Sequence, residues 1–343
     1  MLDIRCLQYT DLLSFCEKIG EKSYRAGQIY SWIHRGVNSF EEMTDLSKEL
    51  RDKLSNIAYL KNIKIIDQLN SADGTVKFIN ILNDNNIIES VFMKYHHGNS
   101  LCLSTQVGCK MKCLFCASGI KGFVRNLSAG EMLAQILEAQ NVLKEKINNV
   151  VLMGTGEPLD NLDEVLKFIN IINDKHGLNI SDRNITLSTC GIIPGLRILA
   201  DKGLKITVAI SLHNTFQEER IKLMPIAKQY PVGELFEAID YYIYKTKRRV
   251  TIEYTLIRNL NDTDRHANHL GKLLRGKLIH INIIPINIVE NLKLLASTTD
   301  RLNSFVSILK NKYHIEITVR RTLGCDIKAA CGQLRNNYID NTK

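Results

Sequence analysis

The hydrophobic positions along this chain change period twice. Over residues ~1–60 they recur at helical spacing: Ile29, Trp32 and Ile33 share one face of Ser23–Gly36, and Gly36 supplies a stop. A second helix is expected near Ser47–Ser55, so this stretch reads as a small helical module of its own. From ~62 to ~105 the pattern turns β-rich. Val76–Ile81 and Ile87–Tyr95 are strand candidates, separated by the turn cluster Asn83-Asp84-Asn85-Asn86. Strands and helices then alternate. The strands are expected at Val150–Met153, Ile185–Ser188, Ile206–Leu212, Val250–Ile257, Ile279–Ile284 and Ile315–Arg320. The helices are expected at Leu162–Asn173, Leu196–Ala200, Val232–Tyr244, His266–Leu274 and Arg301–Lys312. Repeated β–α alternation predicts an α/β fold with a parallel sheet or barrel of about six units, short of a full eight-unit barrel. No internal repeat or low-complexity segment is visible.

Composition narrows the picture. The chain's 343 residues suffice for one large α/β domain and a small extra one. No apolar run approaches the roughly 20 residues of a membrane helix. Met1–Gln8 carries Asp3 and Arg5 and no apolar core, so no signal peptide and a cytoplasmic location are expected. Nine cysteines, an odd number, argue against a disulfide framework and for metal or thiol chemistry. A formal charge of +9 points to a polyanion such as nucleic acid, or to a generic basic surface. Lys245, Lys247, Arg248 and Arg249 form the densest basic run, and Arg320 and Arg321 follow the last strand. Such residues would neutralise phosphates, although a charge run alone also fits a solvated face.

The strongest chemical signal is Cys109-x3-Cys113-x2-Cys116. Three thiolates on one short loop can bind three irons of a [4Fe–4S] cubane and leave the fourth open. An open iron can chelate the amino and carboxylate groups of S-adenosylmethionine (SAM), and electron transfer to the sulfonium would release a 5′-deoxyadenosyl radical. Structural zinc is the alternative. It wants four ligands, and only His96 and His97 are available to supplement the triad. With Phe115 before the last cysteine, the loop resembles the radical-SAM superfamily. That resemblance implies a partial (β/α)6 radical-SAM barrel. Gly154-Thr155-Gly156-Glu157-Pro158 then resembles the superfamily's Gly-Gly-Glu-Pro motif, with Thr155 replacing one glycine, and Gly156 and Glu157 are expected to contact SAM. Ser188, Ser211-Leu212-His213 and Asn287 stand at successive strand ends. There they look like one SAM pocket, although each alone fits a cap or a turn.

Two further cysteines carry a closer resemblance. Cys331 sits in Ala329-Ala330-Cys331-Gly332-Gln333-Leu334, and Cys102 lies seven residues before the triad. With Gln106–Leu127, Tyr24-Arg25-Ala26, Trp32, Lys222–Ile226 and Arg248–Tyr254, the chain resembles the radical-SAM 23S rRNA adenine methyltransferases, the RlmN type and its Cfr-type relatives, over essentially its whole length. Adenine carbons 2 and 8 are electron-poor and cannot attack the methyl group of SAM directly. The resemblance implies another route. The Cys331 thiolate takes a methyl group from one SAM. A radical from a second SAM abstracts hydrogen from that methyl group, and the resulting carbon radical adds to adenine. A base then removes the ring proton, and Cys102 attacks Cys331 to form a disulfide and free the RNA. Glu89 matches the family's proton acceptor; read alone it is a solvated strand glutamate.

The resemblance further implies an RNA-binding accessory domain over 1–60, with Tyr24, Arg25 and Arg35 as candidate contacts. A β-rich extension over 61–100 and a catalytic core over 101–343 would follow. The expected partners are 23S rRNA and tRNA, with a flavodoxin or ferredoxin-like reductant as electron donor, and the chain is expected to be a monomer. Pro158 favours carbon 2 over the carbon-8 reaction of Cfr-type enzymes, which tend to carry alanine there. Two other classes predict different behaviour. An RNA-binding protein with a structural metal would not turn over SAM, and a radical-SAM enzyme acting on a protein or small molecule would not depend on RNA. Cys6, Cys16, Cys190 and Cys325 read as small buried hydrophobes.

Overall fold

A computed structural model describes residues 1–287 and 294–334. The N-terminal segment folds as β1 (Leu2–Asp3), α1 (Tyr9–Lys18), α2 (Tyr24–His34), α3 (Lys48–Ile57) and β2 (Ala58–Tyr59), with β1 and β2 paired in parallel. Ser47 caps α3, its hydroxyl accepting from the Leu50 N–H at 3.3 Å. The module does not enclose a core of its own. Leu12, Ile29 and Ile33 belong to the same buried cluster as Leu133, Ile136 and Phe168 of the main domain. Polar contacts reinforce this seam. Tyr30 donates to the Ile171 carbonyl (3.3 Å), and Tyr9 stacks on His176 at 4.0 Å. Arg5 is fully buried and donates to the carbonyls of Val37 (2.6 Å) and Lys61 (2.9 Å).

The chain then runs through β3 (Lys64–Asn70), β4 (Val76–Ile81), β5 (Ile87–Tyr95) and β6 (Gly98–Cys102), an antiparallel meander. A short hairpin follows, β7 (Gln106–Gly108) and β8 (Phe123–Asn126). The remaining elements alternate: α4 (Ala129–Leu143), β9 (Asn149–Leu152), α5 (Leu162–Asn173), β10 (Ile185–Thr189), α6 (Ile193–Lys202), β11 (Thr207–Ser211), α7 (Gln217–Leu223), α8 (Val232–Thr246), β12 (Val250–Leu256), α9 (Asp264–Leu274), β13 (Ile279–Pro285), α10 (Thr299–Ser307) and β14 (Glu316–Val319).

All ten strands from β3 to β6 and β9 to β14 form one sheet, ordered β14-β13-β12-β11-β10-β9-β6-β5-β4-β3. From β6 through β14 neighbouring strands are parallel, which gives the partial barrel of six β/α units and one closing strand. The meander therefore continues the barrel's own sheet through the β5–β6 pairing. The edges, β14 and β3, do not pair, so the barrel is open on one side. The bounds of β4, β5 and α5 are those read from the sequence, and the other expected elements shift by a few residues. Seven features went unanticipated: the β1–β2 pair, α1, β3, β6, the β7–β8 hairpin, α4 and α7.

Candidate active site

The β7–β8 hairpin holds the cysteine loop. Gly108 has φ +70°, and a Cβ there would lie 1.9 Å from the Gly122 carbonyl oxygen, so only glycine lets the two strands close. That carbonyl accepts from the Cys109 N–H at 3.1 Å. Cys109, Cys113 and Cys116 all line a cavity of about 160 Å³ at the C-terminal ends of the barrel strands. Burial pushes the Cys109 thiol up to about 12 and Cys113 well above the usual range. Bound iron would reverse that, because a coordinating thiol loses its proton to the metal.

The donor set fits a cluster better than a single ion. Among the described residues, no three His, Cys, Asp or Glu side chains gather closely enough to hold one metal ion. A cubane needs no such convergence, since each cysteine bonds a different iron. Arg220 gives a second indication. It is fully buried and donates to the carbonyls of Cys190 (2.8 Å), Leu212 (3.1 Å) and Ser211 (3.3 Å). Its Nη1 is buried without a partner among the described residues, and its charge lowers the pKa of Cys113. A buried cation with an unspent donor beside three cysteines suits an anionic group.

Most residues expected to bind SAM meet in the same cavity. Gly156, Glu157, Ser188, Ser211, His213 and Asn287 all line it. Gly156 has φ +112°, and a Cβ would meet Gln106 at 2.6 Å. Glu157 is buried; its carboxylate accepts from the N–H groups of Cys190 (2.7 Å) and Leu159 (3.0 Å). Burial raises its pKa against the pull of these bonds. The Ser188 and Ser211 hydroxyls lie 3.4 Å apart on adjacent strands. His213 Nδ1 accepts from the Thr255 N–H at 2.9 Å, and burial pushes the imidazole down to about 3. Phe115 packs edge-on against His213 at 4.5 Å, tying the cysteine loop to the strand end. Leu212 departs from expectation. Its side chain is fully buried off the cavity wall, with its N–H on Glu253 and its carbonyl on Arg220.

A strap, residues 320–334, carries Cys331 to this cavity. Its outer end is pinned to the β3–β4 turn. Ser71 and the Ala72 N–H donate to Asp326 (2.6 and 3.2 Å), and the Gly324 N–H donates to Asp73 (2.8 Å). Its inner end is fixed by Ala117 N–H to the Gly332 carbonyl (2.8 Å) and Asn287 to the Cys331 carbonyl (3.0 Å). Asn287 thus holds the strap as well as lining the cavity. Cys331 also lines a second chamber of about 800 Å³, shared with Cys102 at the end of β6. Cys102, Ala329 and Leu334 belong to one small apolar cluster, and all the cysteines are free thiols. Burial pushes Cys102 up to about 12, with Cys331 adding to the shift; burial also raises Cys331, against Arg320.

Glu89 is not the solvated alternative. It is 3% exposed, on the β5 face it shares with Val91, the residue paired to Cys102. Its carboxylate pairs with Lys77 at 3.1 Å, and Lys77 also donates to the Lys328 carbonyl (3.2 Å), so the pair touches the strap. Sequence reasoning missed Lys77, Arg220 and Glu253. Glu253 sits in the strand run Val250–Leu256 as its one charged residue, which is the signal that could have singled it out; the charged neighbours of Arg220 gave none. The basic run is not brought to the site. Lys245–Arg249 precedes β12, at the end of the strands opposite the cysteine loop, and Arg249 and Lys245 are paired with Glu316 and Asp201. Arg320 and Arg321, by contrast, line the second chamber. Tyr24 is exposed, whereas Arg25 is engaged with Gln28 at 2.8 Å. Cys325 is exposed, against the expectation of a buried hydrophobe, because it sits on the strap's outer turn.

Comparison with known proteins is consistent across the chain. Residues 2–60 match the family described as ribosomal RNA large subunit methyltransferase N-terminal domain, and residues 103–270 match the radical SAM superfamily. A protein of Alkaliphilus oremlandii, described as a probable dual-specificity RNA methyltransferase RlmN, is 50% identical over 341 residues, 99% of each chain. One of Lachnoclostridium phytofermentans with the same description is 49% identical, covering 99% of this chain and 96% of its own. The crystal structure of a radical SAM methyltransferase from Sphaerobacter thermophilus superposes with a TM-score of 0.93 at 37% identity, covering 98% of this chain and 99% of that one.

Proposed function

The chain belongs to the RlmN family of radical-SAM RNA methyltransferases, and from that premise we propose that it methylates carbon 2 of an adenine in 23S rRNA and in tRNA through a methylated Cys331. The observation that carries this reading is the position of Cys331. Its strap seats it where the cavity lined by Cys109, Cys113 and Cys116 meets the chamber lined by Cys102. A thiol that must first carry a methyl group and then exchange with a second thiol needs access to both sides.

The three loop cysteines would hold the cluster, and Gly156, Glu157, Ser188, Ser211, His213 and Asn287 would hold SAM. When bound, cluster and SAM supply a carbon-centred radical able to abstract hydrogen. The chain's own residues do the rest. Cys331 carries the methyl carbon as a thioether; once one hydrogen has been abstracted from it, that carbon bonds to adenine, linking RNA to protein, and the adduct's odd electron would be returned to the cluster held by the loop cysteines. Glu89 takes the ring proton once its pair with Lys77 opens. The Cys102 thiolate attacks the Cys331 sulfur; an S–S bond forms as the bond from that sulfur to the RNA-bound carbon breaks, and a proton completes the product methyl group. A thiol pushed as high as Cys102 is protonated at neutral pH, so it must lose its proton as the two sulfurs meet. An external thiol then reduces the pair.

Residues 1–60 serve in this reading as the RNA-binding accessory domain, 61–100 as an extension and 101–343 as the catalytic core. A flavodoxin or ferredoxin-like protein supplies electrons to a cytoplasmic, monomeric enzyme. No described helix is long and apolar enough to cross a membrane. Pro158, buried at the start of the turn after Glu157, supports carbon 2 over carbon 8. The test is product analysis after anaerobic reconstitution with a 23S rRNA fragment, reductant and methyl-deuterated SAM. Labelled 2-methyladenosine from wild type and none from Cys331→Ala is expected. 8-Methyladenosine would overturn the regiochemistry, and SAM cleavage without an RNA product would overturn the substrate.

A further inference from the structure

Glu253 is a buried carboxylate for which the chemistry above has no use. It lies within β12, where every residue is buried, in register with Ser211 on one side and Asn282 on the other. An acidic group in such a place is costly unless each oxygen finds a donor. Only one does. Oε1 accepts from Asn282 Nδ2 at 2.8 Å and faces Arg320 Nη1 at 3.6 Å. Oε2 is out of reach of bulk water and has no partner among the described residues. The side chain is 3% exposed, yet it lines both chambers, at the neck they share with Met153, Ile284, Asn287 and Cys331. The unpaired acceptor therefore stands beside the thiol that meets the substrate.

A further cation is a poor match for Oε2, since Arg320 already faces this carboxylate. A neutral N–H is the fitting complement. Resting on the function proposed above, we propose that Glu253 Oε2 reads the 6-amino group of the adenine seated against Cys331 and so selects adenine over other purines. Hypoxanthine and guanine would present a carbonyl oxygen there, setting two acceptors against each other. Purine lacking the amino group would leave Oε2 buried and unpaired, the situation in which a site discriminates most strongly. The neighbours also fix which way an amide would point. Asn282 and Arg320 both donate toward the Oε1 position, so in Glu253→Gln the amide oxygen occupies it and the NH₂ group turns to the neck.

The experiment uses the full chain with its cluster loaded and RNA fragments carrying adenosine, purine riboside or inosine at the target position. kcat/KM is measured for wild type, Glu253→Gln and Glu253→Ala. Comparing ratios between enzymes cancels the intrinsic reactivity of each base. Wild type is expected to prefer adenosine over purine riboside by roughly 10–100-fold. Glu253→Ala is expected to bring that ratio near one, and Glu253→Gln to raise inosine relative to adenosine. An unchanged adenosine-to-purine ratio in both variants overturns the inference. So does an effect confined to SAM affinity or to SAM cleavage without RNA, which would assign Glu253 to SAM. If Glu253→Ala fails to fold or to load its cluster, the near-isosteric Glu253→Gln still decides through its inosine ratio. Failure of the wild type to methylate the adenosine fragment is a separate outcome, which overturns the proposed function itself.

Discussion

Gly108 and Gly122 both adopt positive φ in the hairpin that holds the cysteine loop, and replacing each with alanine separates backbone preference from steric exclusion. A non-glycine residue in the left-handed region costs about 1–2 kcal/mol, and both substitutions incur that. They differ in space. A Cβ on Gly122 meets nothing within 4 Å, whereas one on Gly108 meets the Gly122 carbonyl oxygen at 1.9 Å. Ordinary contact begins near 3.4 Å, so the strands must part by about 1.5 Å. That breaks the Cys109 N–H bond to Gly122, costing about 1 kcal/mol more, and shifts Cys109 itself. The total for Gly108→Ala, roughly 3 kcal/mol, corresponds to about a hundredfold shift toward an open loop. The hairpin is a two-stranded sheet apart from the main one, so thermal unfolding of the barrel should change little. Iron and sulfide content after anaerobic reconstitution, with visible absorbance, is the assay. Gly108→Ala should load little cluster while Gly122→Ala loads close to the wild-type amount. Equal loading by the two variants would refute the steric argument.

Three other outcomes follow from the site. Arg220→Met should lower stability by about 2–4 kcal/mol, because three buried carbonyls lose their donor; an unchanged urea midpoint would contradict this. Cys102→Ala should leave RNA attached to the protein through Cys331, seen as a slow band on a denaturing gel that wild type does not accumulate; clean turnover would remove Cys102 from the release step. His34 is held down to about 4 by burial, with Nδ1–H donating to the Tyr30 carbonyl. Between that value and its ordinary 6.5 the unfolded chain binds one more proton than the folded one. His34 therefore costs nothing above pH ~6.5, and stability falls by about 1.4 kcal/mol per pH unit as pH drops toward the folded value. Denaturation at several pH values should give a shallower slope for His34→Gln, and an identical slope would contradict the assignment.

Much of the barrel was legible because its strands and helices keep clean periods; β4, β5 and α5 are cases in point. The helix α4 was missed for the opposite reason. It lies between the sheet and the N-terminal module, so residues 129–137 are buried on every face, Glu131 and Gln135 included, and no stripe stands out. Its capping box, Ser128 with Glu131, was the one available signal. At the site, spacing singled out the cysteine triad and strand ends singled out Gly156, Glu157, Ser188, Ser211, His213 and Asn287, and the structure brings these residues to one cavity. Arg220 escaped because it stands in the charged stretch Gln217–Leu223, and Glu253 because one charged letter in the strand run Val250–Leu256 does not say which of its oxygens lacks a donor. The basic run at Lys245–Arg249 could not be placed from the sequence, because charge density carries no information about which end of a barrel it decorates.

The strap has an evolutionary consequence. Its outer anchors, Ser71, Ala72 and Asp73, form a surface turn that lines neither chamber, yet they help set where Cys331 stands. If Cys331 acts as proposed, variation in that turn retunes how readily the thiol changes partners while the residues lining both chambers stay the same. The speed of this enzyme is thus open to inheritance at a place remote from its chemistry, where surface residues drift most freely.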